Sequence, residues 1–146
     1  GKGPLRLSEN HRRFLLDAMA EYPGDSRNPV YPRIDFPDDW GKFFLPGLIP
    51  NHPKADLTIH NKVGQAYGFT IDNACITDHR SGRASFLTAV IYTNADGILN
   101  DDAYEYDSVA LPFMANLAAA VAEALWRDGA PSHMDSCGIA DPLQSP

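Results

Sequence analysis

Residues 57–93 read LTIHNKVGQAYGFTIDNACITDHRSGRASFLTAVIYT, and this stretch decides the fold. Leu57 to Val63 sets Leu57, Ile59 and Asn61 against Thr58 and His60, the two-residue period of a half-buried strand. Ala66 to Thr77 holds Tyr67, Phe69 and Ile71 at the same period, with Ala74, Cys75 and Ile76 continuing it. Ser85 to Thr93 is almost wholly apolar or β-branched, as expected of a strand covered on both faces. Gly64-Gln65 separates the first two strands, and Asp78-His79-Arg80-Ser81-Gly82 is a hairpin-type loop between the second and third. Links this short predict an antiparallel meander.

Helical signals flank the meander. Upstream, Ser8 and Glu9 precede Phe14, Leu15, Ala18 and Met19, the pattern of an N-capped amphipathic helix that Pro23-Gly24 terminates. Pro23, Pro29, Pro32, Pro37, Pro46, Pro50 and Pro53 then exclude a regular helix or a central strand. Tyr31, Phe36, Trp40, Phe43 and Phe44 make the same stretch too aromatic for a disordered linker, so an ordered loop packed on the domain is expected. Downstream, Asn94-Ala95-Asp96-Gly97 is a turn and Asn100-Asp101-Asp102 a polar loop. Asp107 or Ser108 is expected to cap the longest helix, with Pro112 near its start. Phe113, Leu117, Val121 and Leu125 recur every four residues among alanines, a small surface suited to close packing on a sheet. Gly129 and Pro131 end that helix, and residues 128–146 form a tail with weak structure signals.

The bulk numbers suit one soluble domain. The chain has 146 residues, and 12 Lys and Arg against 19 Asp and Glu give a net charge of −7. No cluster of basic residues offers a surface to nucleic acid or an anionic membrane. No apolar run approaches the roughly 18–20 residues that span a bilayer, and Gly1-Lys2-Gly3-Pro4 carries no apolar signal segment. Two cysteines, Cys75 and Cys137, are too few for a disulfide framework, and Cys75, in an apolar strand, is most simply a small core residue.

The residues themselves offer little chemistry. There is no phosphate-binding glycine loop and no HExxH. His11, His52, His60, His79 and His133 are dispersed without an i,i+4 pair, so structural or surface roles are expected, with neither metal nor cofactor. Asp101 and Asp102 suit local backbone bonding in a turn. Lys62-Val63-Gly64 stands out by context alone: it ends one strand and another follows at once.

The order of a strand with KxG, a strand after Tyr67-Gly68, an apolar strand ending IYTN and an alanine-rich helix reaching Trp126 resembles the C-terminal end of class A β-lactamases and their penicillin-binding relatives. The resemblance covers roughly Leu7 to Trp126. It implies an α+β fold of αβα-sandwich type, an antiparallel meander covered by a long C-terminal helix and an N-terminal helix. Residues 1–127 would be the C-terminal portion of a β-lactamase/transpeptidase-like domain. It also implies a serine acyl-transfer hydrolase in which an S-x-x-K serine forms an acyl-enzyme. Lys62 would bring positive charge to the substrate carboxylate and the serine, and Val63 and Gly64 would line the cleft. Gln65 and Ala66 would lie near a backbone oxyanion donor.

Two departures from that pattern matter. Val63 stands where a hydroxyl residue would hydrogen-bond the substrate carboxylate, a loss of about 1 kcal/mol or more. None of Ser8, Ser26, Ser81, Ser85, Ser108, Ser132, Ser136 and Ser145 is followed by lysine three residues later. The expectation is therefore part of a serine hydrolase, inactive alone, with a non-catalytic binding or assembly module as the alternative. The substrate in the intact protein would be a small-molecule or peptide acyl compound. Ser85–Thr93 would be a hydrophobic edge that pairs with another chain or a second copy. A periplasmic or secreted location rests on the resemblance alone.

Overall fold

A computed structural model describes residues 6–126 of the chain. Strands β1 (Leu57–Ala66), β2 (Phe69–Asp78) and β3 (Arg83–Tyr92) form one antiparallel sheet in the order β1-β2-β3. With its flanking helices it is an α+β fold, as expected. The link between β1 and β2 falls elsewhere than expected. Gly64 and Gln65 lie inside β1, opposite Ile71 and Thr70, and the turn is Tyr67-Gly68. Both turn residues have positive φ, 53° and 87°, which a two-residue hairpin of the favoured twist demands. A Cβ on Gly68 would also lie 2.8 Å from the Thr93 carbonyl oxygen. Gly64 answers a different need: its Cβ would stand 3.1 Å from Cγ2 of Ile71 across the ladder.

Strand alternation gives the sheet two unlike faces. Leu57, Ile59, Ala74, Ile76 and Ala89 are buried on one face with Phe43, Phe44, α2 (Leu45–Leu48) and α3 (Leu111–Trp126). On the other face β3 presents Phe86, Thr88, Val90 and Tyr92, all exposed. The expectation of burial on both faces of β3 fails among the described residues.

The stripe of α3 that meets the core is Met114, Ala118, Ala122 and Trp126. It lies one position on from the expected Phe113, Leu117, Val121 and Leu125, of which Phe113 and Leu125 are exposed. The reason is steric. A Cβ on Gly47 of α2 would lie 1.8 Å from the carbonyl oxygen of Ala115, so the two backbones touch and this contact sets how α3 is turned over α2. Asp107 and Ser108 do not cap α3. They sit within a wide π turn, Tyr106–Ala110, that leads into the helix and leaves room for the Pro112 ring.

Tyr106–Trp126 forms a continuous helical stretch of 21 residues, long and apolar enough by length and composition to cross a membrane. Against the expectation that no apolar run approaches that length, it is one weak candidate by length and composition alone. Met114, Ala118, Ala122 and Trp126 of this stretch join the protein's own core, and 22% of its apolar window is buried.

Helix α1 (Glu9–Ala20) starts as expected, with the Ser8 hydroxyl accepting from His11 N at 3.2 Å. It runs along β1 but buries none of its residues, and Phe14, Leu15 and Met19 are exposed. The proline-rich segment is ordered. Tyr31, Phe36 and Trp40 stack edge to face at 4.9 and 5.1 Å, and Phe43 and Phe44 enter the core. One helical turn, α2, forms despite Pro46, which sits in its first turn where an N–H is not needed. Cys75 is buried as expected, yet it is disulfide-bonded rather than a plain core thiol. Gly129, Pro131, Cys137 and the expected tail at 128–146 lie outside the described residues.

The register of α3 is testable by thermal unfolding followed by circular dichroism. Ala118→Asp, which buries a charge without a partner, is expected to abolish the cooperative transition. Leu117→Asp, on a half-buried flank, should lower the midpoint and keep the transition. Equal damage from both would contradict the observed stripe.

Candidate functional site

β1 is an outer strand of the sheet, so one of its edges carries no ladder partner among the described residues. Lys62, Val63, Gly64, Gln65 and Ala66 follow one another along it, opposite Asn73, Asp72, Ile71, Thr70 and Phe69. Lys62 is exposed, on the face away from α3, and its Nζ donates to the Val63 carbonyl. Val63 turns to the other face and packs at the margin of the core. Gly64 and Ala66 share the face of Lys62. Gln65 is exposed, and its Nε2 donates to Thr70 Oγ1 at 3.3 Å. The five residues thus form one strip, with the ammonium of Lys62 at one end and the Tyr67-Gly68 turn at the other.

That turn is held from outside the sheet. Thr93 N and Oγ1 donate to the Gly68 carbonyl at 2.8 and 3.3 Å, and Gly68 N donates to the Tyr106 hydroxyl at 2.9 Å. The end of β3 and the start of the α3 stretch therefore fix the strip's far end.

Beneath the strip lies a polar cluster that sequence reasoning missed. Lys42 is only 2% exposed, and its three donors are all engaged, by Met19 O at 3.0 Å, Ile59 O at 2.8 Å and Asn61 Oδ1 at 2.9 Å. Asn61 Nδ2 donates to Gly41 O at 2.9 Å and Asp72 Oδ1 at 3.0 Å, and Asp72 Oδ2 accepts from Phe43 N at 3.0 Å. Burial pulls the Lys42 ammonium down to about 8, although Asp72 and Asp25 oppose the change. Burial also raises Asp72, against the bonds from Asn61 and Phe43 and the charge of Lys42. The network is closed to solvent, so it fixes the proline-rich segment to the sheet and is no binding site. One signal was present: Asn61 shares the alternation of Leu57 and Ile59, so the strand period buries it.

A third cluster brings together His52, Asp78 and Ser81. Ser81 Oγ donates to Asp78 Oδ2 at 2.8 Å, and His52 Nδ1 lies 3.2 Å from the same oxygen. Arg80 N donates to Oδ1 at 3.0 Å. Burial alone would raise Asp78, but the bonds from Ser81, Arg80 and His52 outweigh it and hold the carboxyl below its ordinary value. Both the hydroxyl and the imidazole bond the carboxylate, so no base faces the serine, and the arrangement clamps the β2–β3 hairpin. The other described serines include Ser8 capping α1, Ser26 donating to Pro29 O and Ser85 accepting from Trp126 Nε1 at 2.7 Å. Among the described residues no group of three or more His, Cys, Asp or Glu could hold a metal ion.

No family model, no curated protein and no solved structure matches this chain.

Lys42 predicts a pH signature. Its folded value near 8 lies below its ordinary 10.5, so the unfolded chain binds more protons between those limits. The contribution of Lys42 to stability therefore rises as pH increases from 8 towards 10.5. In urea unfolding at pH 8, 9 and 10, the native protein is expected to gain on Lys42→Met by about 2 kcal/mol across that range. Parallel pH profiles would show that Lys42 titrates normally.

Proposed function

We propose that this chain is the C-terminal part of a serine hydrolase of the β-lactamase/transpeptidase type, and that it contributes the Lys62-Val63-Gly64 wall of an active-site cleft. The observation that carries this reading is the Lys62–Ala66 strip itself. It is an open strand edge with an exposed ammonium and a glycine that keeps the strand low, backed by a meander and a long helix. An open edge can hold an extended acyl substrate through backbone groups, and a lysine beside it can attract a carboxylate. With Val63 in the middle and facing the core, the wall offers no side-chain hydroxyl there. The substrate class is thus a small-molecule or peptide acyl compound held mainly by charge and backbone. The nucleophile would come from chain beyond these residues, because no serine in the sequence carries an S-x-x-K pattern. The proposal has the chain inactive alone.

A partner along β3 belongs to the same proposal. The outer edge of β3 is unpaired among the described residues, and Phe86, Val90 and Tyr92 are 66%, 55% and 48% exposed. Soluble proteins seldom leave such an edge open, and further strands of the same hydrolase, or a second copy, would cover it. The alternative is an assembly module without catalysis, and it is favoured by the structural bonds of Ser8, Ser26, Ser81 and Ser85.

Two experiments test these readings. In the longer parent protein, a fluorescent penicillin or fluorophosphonate should label a serine, and Lys62→Ala should slow labelling about 10- to 100-fold with little change in melting temperature. No label on the parent would favour the assembly module. For the chain alone, sedimentation should give a concentration-dependent mass, and Val90→Lys should return it to a monomer. A monodisperse monomer at all concentrations would overturn the β3 partner.

A further inference from the structure

β3 is the other outer strand of the sheet, and no strand among the described residues pairs with its far edge. The direction of its backbone groups follows from the Tyr67-Gly68 turn. Thr93 N donates to Gly68 O at 2.8 Å, so the N–H of Thr93 points inward, toward β2. Backbone groups alternate in direction along an antiparallel strand. Ile91, Ala89, Leu87 and Ser85 therefore bond inward to β2. The N–H and C=O groups of Ala84, Phe86, Thr88, Val90 and Tyr92 point to the outer edge.

An edge of this kind is normally blunted by Lys, Pro or a bulge. From Ala84 to Tyr92 there is no charged residue and no proline, and the register with β2 runs unbroken from Phe69↔Tyr92 to Asp78↔Arg83. β1 differs, since α1 runs along it and it carries Lys62. The β3 edge also complements itself. Two antiparallel copies with Thr88 on the two-fold axis set Thr88 opposite Thr88, Phe86 opposite Val90 and Ala84 opposite Tyr92. All the outward-pointing residues are then paired. Aromatic with β-branched and Thr with Thr are favourable cross-strand pairs. A slip of one residue sets outward groups against inward ones, and a slip of two leaves one end unpaired. Arg83 falls opposite Thr93, so no like charges meet across the pair although each chain carries a net −7.

We propose that this chain forms a two-fold dimer in which β3 pairs antiparallel with β3 of a second copy, with Thr88 on the axis. The two sheets become one sheet of 2 × 3 = 6 strands. Both α3 helices lie on one face of it, and Phe86, Val90 and Tyr92 of the two copies continue each other on the other face. Thr88 N–H and C=O exchange bonds with the same groups of the copy, and Phe86 does so with Val90. Such a contact is isologous and closes at two chains. The inference rests on the open β3 edge described above and commits it to a second copy. It is independent of the hydrolase reading.

The test follows the full chain from dilute to concentrated solution by sedimentation and by amide hydrogen exchange read by NMR. The mass is expected to double. The amides of Phe86, Thr88 and Val90 should exchange quickly in dilute solution and slow by at least about tenfold as the dimer fills, while those of Leu87, Ala89 and Ile91 stay slow throughout. Two variants fix the register. Thr88→Cys sets the two substituted positions about 5.5 Å apart at Cα, inside the range of roughly 4.4–6.8 Å that a disulfide spans. Mild oxidation should link two chains, and peptide mapping should find position 88 joined to position 88. In Phe86→Cys the two substituted positions lie about 14 Å apart along the strands, so they should not link. A monomer at every concentration, or a dimer whose Phe86, Thr88 and Val90 amides stay unprotected, would overturn the pairing together with the β3 partner. A dimer in which Phe86→Cys links and Thr88→Cys does not would overturn this pairing alone.

Discussion

The ammonium of Lys42 is the constraint on which the rest of the structure depends. A buried lysine is tolerated only if its donors are matched, because an unmatched charge in the interior costs several kcal/mol. Here the three acceptors come from two elements: the end of α1, through Met19 O, and β1, through the Ile59 carbonyl and the Asn61 side chain. Asn61 hands the network on to Asp72 of β2, and Asp72 returns to the backbone of Phe43. A segment rich in proline cannot secure itself by a regular ladder. This polar pin fixes it to the sheet near its middle, and Phe43, Phe44 and α2 follow Lys42 into the core.

From that pin the packing follows. Once Phe43 and Phe44 are seated, α2 arrives against α3 at backbone contact, where Gly47 meets Ala115. The stripe that meets the core is Met114, Ala118, Ala122 and Trp126, and Phe113 and Leu125 stay exposed. The core on that side is compact. On the opposite side of the sheet the β3 side chains Phe86, Val90 and Tyr92, and Phe14 of α1, are exposed among the described residues. Among the described residues, therefore, one face of the sheet is packed against helices and the other is only partly covered.

Much of the fold was legible in residues 57–93, because period-two alternation follows directly from strand geometry. The antiparallel meander, a hairpin loop expected over 78–82 and found at 79–82, and the Ser8 cap of α1 were each readable from short-range signals. The turn between β1 and β2 was misread because glycine has two uses. Gly64 makes room for Ile71, whereas Gly68 supplies a positive φ, and only the cross-strand partner tells them apart. Of the candidate site, the strip from Lys62 to Ala66 was visible as a run of residues. Its position on an outer strand was not, since edge or centre depends on the order in which strands pair.

By itself, then, the sequence determined the elements and their sense: where strands alternate, where helices begin, and that short links make neighbours antiparallel. These depend on interactions a few residues apart. Only the tertiary structure decided which side of α3 is buried, that Lys42 is an interior residue, and that the second face of β3 stands open. Each of those is set by groups distant in sequence, by the backbone contact of Gly47 with Ala115, by the acceptors that meet at Lys42, and by the absence of a covering layer over Phe86 and Val90 among the described residues. A local pattern can require that an apolar face be buried, but it cannot name what buries it.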